Sequence, residues 1–487
     1  MSAKILLLDP PHKIHGAIRM WTPSPGLMAI AAYLESNGQS VDFIDATTFE
    51  RPWTDLSRRL KEGGYDIIGV TCPAVTFHFD AIHAVRLARM TLPDSVIIGG
   101  GGHFTLHAEL LLIDLPELDY IVMGEGEKTF LELIKWLDSN GQSQPCDIPG
   151  VMYMENNQTM ATPSRPFIPD LDELPIPCYN KIDLDHPTYN LHGMGLRTVG
   201  ISTSRGCGDH CSYCSESALW HSRWRGRSGQ LVVNEMEMLN KNYGKSLFVF
   251  NENSFNQSRK RNEAFLESLG HSGLKCDFWF QSRLKDILRD RDLLSDFKRL
   301  GCYEIMLGVE SISPETLRNY SKKQTLEQAR EATALLKSHG IIAMTNVMFG
   351  DINDTEETLK HVYDFVSKNG QFLVLTITTP LPGTRYYQHA FKDGRIEENE
   401  FSRYDFMHPI MSNKAYSKEQ ILSLQKKYLK KYYTRPVIFF KMLFSPNKFI
   451  RMAYRLIMRY AWYEARNIEW VQENFEETPE KLLSPVQ

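Results

Sequence analysis

The sequence predicts an α/β protein in three parts: a doubly wound N-terminal domain, a partial (β/α)6 barrel and a helical C-terminal segment. Three observations carry that prediction. Residues 1–140 alternate short apolar runs with helical patterns, residues 141–195 break every pattern with prolines, and the alternation resumes over 196–395. Residues 396–487 then read as mainly helical.

In the first part the apolar runs are KILLL (4–8), VDFID (41–45), DIIGVT (66–71), SVIIGG (95–100) and YIVMGEG (120–126). Helical stretches lie between and after them, near 26–37, 54–62, 78–91 and 127–138. Continuous apolar strands alternating with helices require a parallel sheet covered on both faces, and five such units complete a doubly wound domain. The second span carries Pro145, Pro149, Pro163, Pro166, Pro169, Pro175, Pro177 and Pro187, and reads as a linker with a small hairpin around VMYME. Six further runs follow: TVGIST (198–203), SLFVF (246–250), CDFWF (276–280), YEIMLGV (303–309), IIAMTNVMF (341–349) and FLVLTIT (372–378). Six βα units fit a partial barrel whose chemistry sits at the C-terminal ends of its strands. Residues 418–432 and 448–466 are the clearest helices of the last part, rich in aromatic and basic side chains.

The 487 residues are too many for one hydrophobic core. The net charge of -4 gives no electrostatic case for nucleic acid as a partner. No stretch of eighteen apolar residues spans a bilayer. The start, MSAKILLLDPP, runs straight into a buried strand rather than a signal peptide. The eight cysteines (Cys72, Cys146, Cys178, Cys207, Cys211, Cys214, Cys276 and Cys302) are too sparse for a disulfide scaffold, and three cluster within eight residues. A reducing cytoplasm and a thiolate-bound metal are therefore expected.

The strand TVGIST runs into Ser204-Arg205-Gly206-Cys207-Gly208-Asp209-His210-Cys211-Ser212-Tyr213-Cys214. A CxxxCxxC loop directly after a strand can aim three thiolates at one centre. Four irons need four ligands, so three cysteines leave one iron open, as a catalytic cluster requires. A zinc site completed by His210 is the competing reading, but His210 directly precedes Cys211 and would point away from the shared centre.

This spacing, its place after the first barrel strand and Tyr213 before the third cysteine resemble the radical S-adenosylmethionine superfamily. The resemblance implies a [4Fe-4S] cluster whose open iron chelates the amino and carboxylate groups of S-adenosylmethionine. Its electron then breaks a carbon–sulfur bond and releases a 5′-deoxyadenosyl radical. Carried over residue by residue, it puts Asn251 and Glu252 at the methionine amine and Arg283 at the methionine carboxylate. Glu310 falls at the ribose or methionine moiety, and Thr379 where backbone reads adenine. Each alone also reads as a solvated loop residue.

In the N-terminal part, Gly99-Gly100-Gly101-Gly102 and Gly124-Glu125-Gly126 follow the fourth and fifth strands. Neither is GxGxxG after a first strand, which speaks against nicotinamide or flavin. The pattern resembles the Rossmann-like cobalamin-binding domain that precedes some radical S-adenosylmethionine barrels, with the nucleotide tail beside Thr71, Gly99, Gly100 and Gly101. The lower-ligand motif Asp-x-His-x-x-Gly is absent. Asp9 is followed instead by His12, His15 and Gly16 at the wrong spacing, so the two histidines read as loop residues.

The phrases Phe278-Trp279-Phe280-Gln281-Ser282-Arg283, Tyr404-Asp405-Phe406 and Pro409-Ile410-Met411 look like one branch of that family. It contains the anaerobic magnesium-protoporphyrin monomethyl ester oxidative cyclase and the bacteriochlorophyllide C-methyltransferases. The resemblance implies cobalamin-dependent methylation of an unactivated carbon in a small molecule, a chlorophyll precursor foremost, fed by flavodoxin or ferredoxin. Oxidative ring closure is the second reading. The third is a non-catalytic cobalamin- or metal-binding sensor. Basic C-terminal helices (Lys426, Lys427, Lys430, Lys431, Arg451, Arg455, Arg459) would offer it a partner face or a resting place on a membrane. The aromatics Tyr432, Tyr433, Phe439, Phe440, Trp462 and Tyr463 either wall off a flat substrate or pack helices on the barrel.

Overall fold

The computed structural model describes residues 3–11, 23–139, 145, 147–189, 197–445 and 447–465. The described residues up to 189 form one compact unit, and those from 197 onward form a second. His12 and His15 lie outside the described residues, as do the side chains of Trp462 and Tyr463.

The first unit is built on β1 (Ile5–Asp9), β2 (Val41–Asp45), β3 (Ile67–Thr71), β4 (Val96–Gly100) and β5 (Tyr120–Val122). All five are parallel, in the order β2-β1-β3-β4-β5. Successive strand residues point to opposite faces, and the sequence supplies an apolar side chain for each. Leu6, Leu8, Ile68 and Val70 pack with Trp53, Leu56 and Ala84 of helices Pro52–Gly63 and His78–Thr91. Ile5, Leu7 and Ile67 pack on the other face with Leu27, Ala31 and Phe130 of helices Pro25–Ser36 and Gly126–Asp138.

Two details differ from the sequence reading. The run expected over 120–126 is a strand for three residues only, because Gly124 takes φ 75° and turns the chain into the helix at Gly126. Two short helices, Gly102–Leu106 and Ala108–Asp114, fill the span after β4. The hairpin around VMYME is present as β6 (Val151–Glu155) and β7 (Gln158–Ala161). Its loop is Asn156-Asn157, both at positive φ (49° and 60°), the geometry a two-residue hairpin turn asks for. β6 pairs antiparallel with β5, so the hairpin extends the sheet rather than standing apart as a tether.

The second unit contains β8 (Thr198–Ile201), β9 (Ser204–Gly206), β10 (Trp224–Gly226), β11 (Leu247–Phe250), β12 (Asp277–Ser282), β13 (Cys302–Glu310), β14 (Ile342–Phe349) and β15 (Phe372–Ile377). Six of them form an open parallel sheet, β15-β14-β13-β12-β11-β8. On its outer face Phe250, Phe255, Phe265, Phe278, Phe280 and Phe297 form one aromatic cluster. On its inner face burial alternates: Trp279 and Gln281 of β12, Met306 of β13, Met344 and Asn346 of β14, and Val374 and Thr376 of β15 remain partly accessible. The remaining pair, β9 and β10, is a small antiparallel ribbon the sequence reading did not foresee.

The C-terminal helices are Lys418–Tyr433, Pro436–Phe444 and Lys448–Ala465. They cover the free edge of β15 with side chains. Gln425 Nε2 donates to Leu375 O (2.8 Å), and the Tyr433 hydroxyl donates to Leu373 O (2.7 Å) while accepting from Leu373 N (3.2 Å). The hydroxyls of Tyr432 and Tyr454 both donate to Gln371 O. Tyr432 and Tyr433 are thus packing and edge-capping residues, whereas Phe439 and Phe440 are exposed.

Candidate functional site

The loop 207–214 begins where β9 ends, and partners from distant parts of the second unit hydrogen-bond four of its eight residues. Upstream, the buried Glu252 carboxylate accepts from the amide and hydroxyl of Thr203, whose hydroxyl also receives Arg261 Nη2 (2.6 Å). Gly206 sits at φ 81°, and a Cβ there would lie 2.1 Å from Arg223 O, so only glycine fits. Gly208 N donates to Gln257 Oε1 (3.0 Å). Asp209 accepts from Arg283 Nη1 (2.9 Å) and Lys285 Nζ (2.6 Å). Ser212 N donates to Tyr320 O (2.9 Å), and Arg385 Nη2 to His210 O (2.6 Å).

Within this grip Cys211 is buried and Cys207 and Cys214 are partly exposed, while the His210 side chain is exposed. Burial pushes the Cys214 thiol up to about 12, with Glu216 and the other two thiols adding to it. Burial likewise raises Cys211, against the pull of the Lys322 ammonium. Among the described residues no three ligand-type side chains converge tightly enough for a single metal ion, and a four-iron cube requires a wider triangle. Two buried donors stand unspent: Gln257 Nε2, beside the loop, and Asn251 Nδ2, at the end of the neighbouring strand, have no partner among the described residues. A thiol-rich loop with idle buried amides fits a cluster that carries a polar ligand.

The other expected residues divide. Tyr213 packs edge-on against Tyr320 (ring centroids 5.0 Å apart) beside Met348, Tyr386 and Met411. Asn251 lies over Gly200, where a Cβ would sit 2.6 Å from its Oδ1. Arg283, expected at a carboxylate of the ligand, already spends Nε and Nη2 on Asp286 (2.5 and 3.0 Å) and Nη1 on Asp209. Glu252, expected at an amine, spends its carboxylate on Thr203. Both act in this structure as braces of the loop. Thr379 is buried, its hydroxyl donating to Ile377 O (3.1 Å).

Glu310 is the most unusual of them. It ends β13 at φ 61°, a left-handed conformation rare for glutamate, next to a register shift against β14. Its carboxylate folds back over Gly308, where a Cβ would lie 2.4 Å away. It receives Lys322 Nζ (3.4 Å) and Asn346 Nδ2 (3.3 Å). The buried Lys322 was missed by the sequence reading. In Ser321-Lys322-Lys323 it looks like ordinary solvated charge, and only its neighbours in the fold, Glu310 above all, mark it out.

In the first unit Thr71 and Gly100 face each other at the ends of β3 and β4. Gly99 and Gly101 are required by the fold's own packing, since added Cβ atoms would press on Phe104 (3.0 Å) and on Cys72 O (2.7 Å). Gly100 is different: the nearest atom to a Cβ there is Val122 O, 3.9 Å away, which leaves room for a bulky ligand at the strand end. Nearby, His78 and His103 share a hydrogen bond of 2.9 Å. Burial drives both pKa values down, His78 to about 4, so the pair is uncharged at neutral pH. The sequence reading gave them no role.

Comparison with known proteins follows the same division. The B12 binding domain family matches residues 13–134, and the Radical SAM superfamily matches residues 201–366. A methyltransferase of Pyrococcus horikoshii, named Uncharacterized methyltransferase PH0819, is 30% identical over 466 residues, covering 95% of this chain and 99% of its own. The chain belongs to the cobalamin-dependent radical S-adenosylmethionine methyltransferase family. Its cofactors are a [4Fe-4S] cluster, S-adenosylmethionine and cobalamin, and the sensor reading gives way to that of an enzyme. The anaerobic magnesium-protoporphyrin IX monomethyl ester cyclase of Rubrivivax gelatinosus is 29% identical, covering 86% of this chain and 75% of its own. Among solved structures, the radical S-adenosylmethionine methyltransferase TsrM of Kitasatospora setae superposes with a TM-score of 0.73 at 19% identity. That match covers 95% of this chain and 100% of the other, and shows that the two share a fold.

Proposed function

We propose that this family member methylates an unactivated carbon of an apolar, ring-shaped small molecule, with bacteriochlorophyll-type tetrapyrroles the first class to test. The observation that carries the proposal is the inner wall of the six-stranded sheet. Trp279, Met306, Met344 and Val374 line it as an accessible apolar surface, with Gln281, Asn346 and Thr376 as sparse polar points, while the outer face is tightly packed. Thioethers and an indole adapt to a flat apolar body, and a few amides suffice to orient it. Relatives support the class: a bacteriochlorophyllide d C-8(2)-methyltransferase of Chlorobaculum tepidum is 24% identical, and a hopanoid C-3 methylase of Methylococcus capsulatus 22%.

In this reading Cys207, Cys211 and Cys214 hold the cluster and Tyr213 steadies the loop between them. Asn251 and the Glu310–Lys322 pair take the methionine end of S-adenosylmethionine, and the Thr379 backbone takes the adenine. Thr71, Gly99, Gly100 and Gly101 take the cobalamin tail. When bound, these groups supply one electron, a 5′-deoxyadenosyl radical and a transferable methyl group. The protein keeps water from the radical and fixes which carbon it meets. We further infer a flavodoxin- or ferredoxin-type reductant and a cytoplasmic setting that keeps the thiols reduced. Among the described residues no helix is long and apolar enough to cross a membrane.

Anaerobic reconstitution with iron, sulfide, cobalamin and S-adenosylmethionine, offered a panel of chlorophyll precursors, tests the proposal by product mass. A gain of about one methylene unit supports methylation. A change in oxygen and hydrogen count would favour ring closure, the activity named for three relatives 26–29% identical to this chain. If 5′-deoxyadenosine forms yet no precursor is altered, the substrate class is wrong. Replacing Cys207, Cys211 and Cys214 by alanine together should abolish both the cluster absorbance and 5′-deoxyadenosine.

A further inference from the structure

The helix Pro436–Phe444 presents Val437, Phe439, Phe440, Leu443 and Phe444 to solvent, at 44–72% exposure, and buries Ile438 beneath them. Five large apolar side chains on nine residues are far more than the scattered exposed leucine or phenylalanine of an ordinary surface. The flanking chain itself carries charge of one sign. Between residues 426 and 463 the sequence has ten Lys or Arg and no Asp or Glu, in a chain whose net charge is -4. Lys427 and Lys448 pair with Glu356 and Asp277 from other elements. Lys430 and Lys441 are exposed and have no acidic partner among the described residues.

We propose that this helix docks the protein on an anionic lipid surface, its phenylalanines entering the headgroup boundary while Lys441 and, from the preceding helix, Lys430 face lipid phosphates. Charge decides among the occupants. A second copy would set two basic patches against each other, whereas an anionic bilayer neutralises the basic rim and receives the apolar centre. A soluble acidic carrier would match the rim but leave the protruding rings uncovered. The device is peripheral, since the apolar segment is far shorter than a bilayer is thick. It would give the enzyme a supply of substrates that partition into lipid. The inference stands on the surface alone and is independent of which substrate is methylated.

Vesicle flotation of the full chain tests it. The parent protein should float with mixed phosphatidylcholine–phosphatidylglycerol vesicles, more weakly at high salt, and poorly with phosphatidylcholine alone. Phe440→Ser with Phe444→Ser should reduce partitioning by about tenfold or more, with an unchanged melting temperature because both rings are exposed. Lys430→Glu with Lys441→Glu should abolish the preference for anionic vesicles while 5′-deoxyadenosine formation in solution stays at the parent level. Failure of the parent to float would overturn the proposal, and so would serine or glutamate variants that float as well as the parent. Loss of an acidic electron-carrier complex in these variants, without vesicle binding, would reassign the surface to a protein.

Discussion

At the scale of single residues, the cysteine loop owes its shape to charged braces rather than to its own sequence. Arg283 joins Asp209, inside the loop, to Asp286 on the helix after β12. Lysine keeps the charge but loses the planar fork, so Arg283→Lys should lower stability by about 2–3 kcal/mol. It should also reduce iron bound after reconstitution, read by iron assay beside thermal melting. Glu304, on the inner face of β13, is buried, and burial alone raises its pKa to about 8. A carboxyl group held neutral in the fold but free to ionise when unfolded loses stability as pH rises from about 4 to about 8, by about 1.4 kcal/mol for each pH unit in that window. Glu304→Gln should therefore match the parent near pH 4 and melt progressively higher than it up to pH 8, with no further gain beyond. A constant difference across that range would show that Glu304 ionises normally. The cysteines were legible because their spacing is local. Lys322, Gln257 and Asn346 were not, because each acquires its meaning from a partner distant in the chain, such as Gly208 for Gln257 or Glu310 for Asn346.

At the scale of elements, alternation of apolar runs was enough to find all eleven parallel strands, because each is buried on at least one face and carries its pattern locally. It missed β9 and β10, three residues each, which are too short to have a period and are held by pairing across the loop. It also missed the separate helix Pro436–Phe444, whose apolar residues cover all sides and give no stripe. The helix Lys418–Tyr433 was legible, but its task was not. Its tyrosines act through hydroxyls aimed at backbone atoms of β15, which no pattern of hydropathy records. Tyr433→Phe removes a hydroxyl that both donates to and accepts from Leu373. It should cost about 1–2 kcal/mol in denaturant unfolding and leave the yield of 5′-deoxyadenosine per folded enzyme unchanged.

At the scale of the whole molecule, each unit has its own sheet and its own buried apolar clusters, and the two cofactor readings rest on different sheets. The cofactors should then be separable by mutation. Gly100→Leu places a bulky side chain where the end of β4 leaves room. It should lower cobalamin retention about tenfold or more while the iron content stays at the parent level, both followed in one visible spectrum. Equal loss of iron and cobalamin would mean that the change damages folding generally.

The capped edge of β15 has one more consequence. A cylinder left incomplete ordinarily exposes a row of amides and carbonyls that a neighbouring chain can zip onto. Here glutamine and tyrosine side chains answer those groups one at a time, so this edge does not invite the fibrous stacking that open sheets risk in a crowded cell.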